Sequence, residues 1–207
     1  MADSNMEVLT IGHSTQSYEE FLRRLRDAEV TAVADVRSTP FSRHLPHFNS
    51  DTLRDELRLD KIAYVFLGDE LGGRPKERQF FCEGVADYAK MAHSEAFKKG
   101  LDRVAEGARK YTLALMCSEQ DPLDCHRCLL VGRALAAKGV KVRHILIDGS
   151  TVEHAEIENR LLDLTGRAGE DLFLSREGRL AAAYRERAAK VAYAEHEESR
   201  QKHVAAE

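Results

Sequence analysis

Long hydrophobic runs are missing from this 207-residue chain. None approaches the roughly 20 apolar residues that a membrane-spanning helix needs. The N-terminus also lacks the apolar core of a secretory signal, so the expected setting is soluble and cytoplasmic. Cysteine is sparse, with four residues, and without an export signal these are expected as reduced thiols, not as a disulfide framework. An excess of positive charge is absent as well. With 31 Lys and Arg against 35 Asp and Glu the formal net charge is -4, so any nucleic-acid contact needs a local basic patch. There is no internal repeat and no low-complexity tract. What is present is an ordinary globular composition, 43% hydrophobic and 32% charged, at a length that fits one medium domain with a real core.

The densest chemistry lies between Ala114 and Cys128. Residues 112–116 form a short apolar run that reads as a buried strand, followed by a polar turn holding Pro122. Asp124 then reads as the N-cap of a helix carrying Leu129, Leu130, Ala134 and Leu135 and closed by Gly139. Cys125, His126 and Arg127 are thereby expected in the first turn of a helix. Unpaired backbone N–H groups and the helix dipole there attract anions and stabilise a thiolate. A thiol, an imidazole and a guanidinium in one such place point to chemistry on an anionic ligand. The plainer alternative is an ion pair for Arg127 and packed cysteines.

The rest of the chain supplies a frame for that stretch. Apolar strands are expected over residues 7–11, 31–36, 63–67 and 140–147, in addition to 112–116. Ser17 with Glu20 makes a capping box, Ser50 and Ser94 read as helix caps, and Thr151 reads as the cap of a helix carrying Ile157, Leu161, Leu162 and Leu164. Residues 80–110 read as two helical pieces, and residues 41–49 as a Pro-punctuated loop. Residues 1–166 are expected as the α/β domain and 167–207 as a polar helical tail. The tail's weak stripe of Leu180, Ala183, Tyr184, Ala188 and Val191 suits a surface helix, disordered from Glu195 onward, or else the arm of a homodimer.

Five buried strands separated by helices argue for an α/β three-layer sandwich around a mostly parallel five-stranded, Rossmann-like sheet. Right-handed crossovers favour the order 3-2-1-4-5, with ligands bound beyond the carboxyl ends of the strands. The polar residues fall at those ends: His13 and Ser14, Asp35 and Arg37, Asp69 and Glu70, then Cys117, Glu119 and the Cys125-His126-Arg127 group.

The segments Thr10–Ser14, Asp35–Pro40, Phe48-Asn49, Glu70–Gly73 and Met116–Glu119, with Cys125-His126-Arg127, resemble the DUF488 family in content and in order. The resemblance runs from about Thr10 to about Ile147. It implies an α/β domain of bacterial or archaeal type whose biochemical role is undefined, and it supplies no reaction. Cys128 and the tail lie outside it.

The leading expectation from the residues is an enzyme, of hydrolase or transferase type, acting on a phosphorylated or nucleotide-like substrate. Arg37, Arg74 and Arg127 would hold the phosphate, with Ser14, Asp35, Cys117 and His126 as further binding groups. Glu119 or Glu70 would be the acid or base and His13 the proton carrier, with Cys125 the candidate reactive thiol. No cofactor and no metal enter this reading, and the partner is a small anionic ligand or a nucleic-acid component. Three alternatives stand beside it. Cys125 and Cys128 have the C-x-x-C spacing of dithiol redox sites, though the flanks lack a thioredoxin-like pattern. Cys117, Cys125, His126 and His13 are possible metal ligands, but neighbouring Cys125 and His126 are expected to diverge on a helix. The 41–49 loop, with Phe41, Arg43, His44, His47 and Phe48, suits a module that stacks on bases without catalysis.

Overall fold

The computed structural model describes residues 6–169 and 173–195. Strand β1 (Glu7–Gly12) leads to helix α1 (Tyr18–Asp27), β2 (Ala32–Asp35), α2 (Ser50–Leu59), β3 (Ala63–Phe66) and the single turn α3 (Gly68–Leu71). A small hairpin, β4 (Phe81–Cys82) and β5 (Val85–Ala86), precedes α4 (Tyr88–Ala92) and α5 (Glu95–Ala108). The chain then runs through β6 (Leu113–Cys117), a π-helical turn at Arg127–Gly132, α6 (Arg133–Ala137), β7 (Lys141–Ile145), β8 (Thr151–Glu153), α7 (His154–Leu164) and α8 (Arg176–Val191).

Local chemistry explains the helix starts. The Ser17 side chain accepts from the Glu20 N–H while Glu20 reaches back to the Ser17 backbone, and Phe21, Leu22 and Leu25 behind them are buried. Ser94 caps α5 through the Phe97 N–H, which sets Phe97, Leu101 and Val104 on one buried face.

The main sheet has six strands in the order β3-β2-β6-β1-β7-β8. The first five are mutually parallel, and β8 pairs antiparallel with β7. Helices α1 and α2 pack with Leu9, Ile11, Val33, Ala114 and Met116 on one face. Helices α5, α6, α7 and α8 cover the other, where Val8, Ala34, Leu115 and Cys117 point. The result is the expected three-layer α/β sandwich with a mostly parallel sheet.

Several details differ from expectation. The strand formed by Leu113–Cys117 lies between β1 and β2, so the order 3-2-1-4-5 is replaced by one in which the first two strands do not touch. All five of its residues are buried. Apolar runs buried on both faces look alike in sequence, so their order is set by packing that the pattern does not carry. The sixth strand went unseen because it is three residues long. Thr151 begins that strand, and Glu153, in a capping box with Glu156, caps α7 in its place. Residues 80–86 are a 3-10 turn and hairpin before the two helices, not helix throughout.

The tail is more than a surface helix. Leu180, Ala183 and Tyr184 of α8 are buried, and the Tyr184 hydroxyl bonds His154 Nε2 at 3.0 Å. Arg187 donates to the Leu123 carbonyl at 3.0 Å and also to the Asp124 carboxylate. Beyond α8, Ala86 N–H donates to the Tyr193 carbonyl at 2.8 Å and Glu195 N–H to the Gly84 carbonyl at 2.9 Å. The terminal segment therefore lies along the β4–β5 hairpin. The disorder expected from Glu195 onward falls, apart from Glu195 itself, outside the described residues. No helix among the described residues is long and apolar enough to cross a membrane.

Candidate active site

Because β2, β6 and β1 are neighbours, their carboxyl ends deliver Arg37, Cys117 and His13 to one place. A cavity of about 290 Å³ opens there, lined among others by Arg37, Ser38, Arg74, Cys117, Glu119 and His126. Tyr193 from the C-terminal segment forms part of its wall.

Four reactive side chains converge here: Cys117, Glu119 and His126 line the cavity, and Cys125 lies buried just behind them. Glu119 Oε2 lies 2.9 Å from both Cys117 Sγ and Cys125 Sγ. His126 Nδ1 lies 3.7 Å from Cys117 Sγ and 3.9 Å from Cys125 Sγ. The other ring nitrogen, Nε2, donates to the Val36 carbonyl at 2.9 Å, which fixes the ring so that Nδ1 faces the sulfurs.

The backbone explains why sequence neighbours meet. Pro122–Asp124 form a 3-10 turn capped by Asp121, not Asp124, and Cys125 follows in an extended conformation, φ -136° and ψ 138°. His126 is already helical, so the two side chains leave a bent chain toward one point instead of diverging on a helix. Cys125 takes the capping role itself: its Sγ lies 3.4 Å from the Arg127 N–H and its carbonyl accepts from Leu129 N–H at 3.0 Å. Two glycines permit the closure. A Cβ on Gly12 would sit 1.9 Å from the Glu119 carbonyl oxygen, and one on Gly73 would sit 2.7 Å from the His126 ring.

Burial and charge act together on these groups. Burial raises the Cys117 thiol well above its ordinary pKa, and the neighbouring Cys125 and Glu119 push it the same way. Cys125 moves the other way: burial opposes ionisation, but the Cys117 hydrogen bond, Arg127 and His126 together hold it well below. Glu119 is raised by burial and by the negative charge on Cys125. His126 is raised as well, its burial outweighed by Cys125 and Glu119.

Arg127 stands behind this cluster, not in it. It is wholly buried, its Nη1 donates to the Glu119 carbonyl at 2.6 Å and its Nη2 to the Gln120 carbonyl at 3.0 Å. It staples the β6 exit loop and is no phosphate clamp facing the cavity. Asp35 is equally committed: it holds Arg37 through Nε at 2.9 Å and Nη2 at 2.6 Å, and accepts from the Tyr64 hydroxyl at 2.8 Å. Arg37 also donates from Nη2 to the Phe48 carbonyl and meets His13 Nε2 through Nη1 at 3.2 Å. One Nη1 N–H remains for the cavity that Arg37 lines.

His13 does not line the cavity. Its Nδ1 donates to the Ser14 carbonyl at 2.8 Å and its ring stacks on Phe48 at 4.2 Å. Burial first, then Arg37, pushes its pKa down to about 4, so it is a neutral support for Arg37 in place of the expected proton carrier. Ser14 bonds Gln120 at 3.3 Å and is outside the cavity lining. Glu70 is also removed from the cluster: it pairs with Arg103 and lines a neighbouring cavity of about 520 Å³. Arg74 borders both cavities, exposed, with its guanidinium 5.2 Å from the Tyr193 ring centre.

Two alternatives change shape. Cys128 does not partner Cys125; it groups with buried His144 and His154, while Cys125 groups with Cys117. Phe48 is fully buried and cannot stack on a base, although Phe41 is exposed and lines the cavity. Ser38, Thr39, Ser118 and Tyr193 are cavity residues that the sequence did not single out. Ser38 and Thr39 follow Arg37 directly and were within reach; Tyr193 joins only through folding of the tail.

The fold is thus an α/β sandwich with a polar cluster beyond the carboxyl ends of its parallel strands. The family model described as "Domain of unknown function DUF488" matches residues 17–134, more than half the chain, and the protein belongs to that family. The match takes in Arg37 and the whole of Cys117–Arg127 but not His13. No curated protein and no solved structure matches the chain.

Proposed function

We propose that this protein is an enzyme of hydrolase or transferase type whose cavity at the ends of β2 and β6 takes a small anionic substrate, phosphorylated or nucleotide-like. One observation carries the reading: a thiol, a carboxyl and an imidazole, with a second thiol directly behind them, line a cavity whose wall holds Arg37 and Arg74. Titratable groups that gather where the core meets a cavity suit chemistry better than stability alone. Arg37 offers its remaining Nη1 N–H and Arg74 an exposed guanidinium to an anion, with the hydroxyls of Ser38, Thr39 and Ser118 beside them. Glu119 is the group placed to exchange a proton with the bound substrate, being the one member of the four that is only partly buried.

Thermal stability measured against nucleotides, sugar phosphates and short oligonucleotides, on wild type and Arg74→Ala, tests the reading. A ligand at about a hundred times its dissociation constant adds about 2.7 kcal/mol. Stabilisation by an anionic member of the panel that is weakened in Arg74→Ala is the expected result. No shift with any member, or a shift indifferent to Arg74, would overturn the anionic-substrate reading.

A further inference from the structure

Cys117, Glu119, Cys125 and His126 have a geometry that hydrogen bonding among themselves does not require. Their ligand atoms all lie within 4.8 Å of one another. In tetrahedral zinc sites a sulfur at about 2.3 Å and a nitrogen at about 2.0 Å from the ion are about 3.5 Å apart. The two sulfur–nitrogen separations here are 3.7 Å and 3.9 Å.

Three further features point the same way. The Val36 carbonyl takes the Nε2 proton of His126, which leaves the Nδ1 lone pair directed at the sulfurs, as outer hydrogen bonds orient metal-bound imidazoles. The bent backbone at Cys125 brings two adjacent ligand residues to one point. The buried Arg127 guanidinium, which donates to the neutral Glu119 and Gln120 carbonyls, offsets the negative charge of two thiolates on an ion. Glu119 is different from the other three. At 2.9 Å from both sulfurs it is closer than the roughly 3.5 Å edge a fourth ligand would make, and it alone is partly exposed.

We infer that Cys117, Cys125 and His126 bind one zinc ion, with the fourth position open to the cavity and Glu119 beside it. The inference deepens the reading of the same site given above and rests on the same cluster. Two thiolates and one imidazole leave the ion short of a closed tetrahedron, the arrangement of a catalytic centre and not of a structural one. Zinc held by these three residues would acidify a water in the fourth position, and Glu119 would be placed to take that proton as the water oxygen bonds to the substrate and to pass it to the leaving group as the ester bond breaks, which makes the reaction class hydrolytic. The other buried group of this kind, Cys128 with His144 and His154, is occupied otherwise: Thr10, His144, His154 and Tyr184 form one hydrogen-bonded chain.

The test is the zinc content of the purified full chain by elemental mass spectrometry. Wild type is expected to carry one zinc per chain, as are Glu119→Gln and Cys128→Ser. Cys117→Ser and Cys125→Ser are expected to lose it. Cobalt titrated into chelator-treated wild type, which needs no variant to fold, is expected to give the intense near-ultraviolet band of cobalt–thiolate bonding at one equivalent. Wild type without stoichiometric zinc and without that band would overturn the inference, as would a Cys117–Cys125 disulfide in the protein as isolated under reducing conditions. Loss of zinc in Glu119→Gln would overturn the three-ligand assignment. Ligand-induced stabilisation on metal-free protein is read separately, so absence of zinc leaves the anionic-cavity reading to stand or fall by its own test.

Discussion

Acidification should destabilise this protein through His13. The ring is 4% exposed, stacked on Phe48, and its Nε2 faces the Arg37 guanidinium at 3.2 Å. Protonation would place a second cation against the first in a site closed to water. Its pKa is pushed down to about 4 in the folded chain from an ordinary 6.5. The unfolded chain therefore binds a proton first, and the stability tied to this group is complete above pH 6.5 and lost as pH falls toward 4. At about 1.4 kcal/mol per unit the loss from this one residue amounts to about 3 kcal/mol. Urea unfolding of wild type and His13→Asn across that range isolates it. The variant is less stable at neutral pH, having lost the Phe48 stacking, but its stability should fall with acid by about 3 kcal/mol less than that of wild type. Contributions from buried His144, His154 and the carboxylates are common to both proteins and cancel. Parallel decline of the two would refute the reasoning and return His13 to the pool of titrating groups.

Other consequences follow from the same network. Asp35→Asn should cost about 3–5 kcal/mol in chemical denaturation, because Arg37 is left buried without its counter-charge. Gly12→Ala should cost about 1–3 kcal/mol, since its Cβ would meet the Glu119 carbonyl, and should displace Glu119 enough to lower any turnover. Tyr184→Phe should cost about 1–3 kcal/mol by leaving His154 Nε2 without its buried partner, measured as a lower urea midpoint with an unchanged slope.

Much of the frame was legible because it is written in local chemistry. The Ser17–Glu20 box, the Ser94 cap and the five apolar strands each follow from residues a few positions apart. What lay hidden depends on distance or on small backbone choices. The place of β6 between β1 and β2 is fixed by how helices cover the two faces, and β8 exists only because the Asp148-Gly149 turn folds Thr151 back onto Ile145. In the site, the meeting of Cys117, Glu119, Cys125 and His126 was half visible, since all four were named, but their convergence depends on an extended residue at Cys125 where helix was expected. Arg127, Asp35 and His13 were correctly placed near the strand ends, yet residue type could not tell a cation facing a cavity from one tied to backbone carbonyls. Glu70 stands apart for a related reason: the end of β3 lies at the sheet's edge, with two strands between it and β1, and the Glu70 carboxylate pairs with Arg103.

The claim that this cavity floor performs chemistry is tested most directly by single turnover of the stabilising ligand with wild type and Glu119→Gln. The account expects binding to be preserved and the rate to fall by at least about a hundredfold, the usual worth of a placed proton-transfer group. Turnover that survives the change would contradict it and leave the four converging side chains without the role assigned to them.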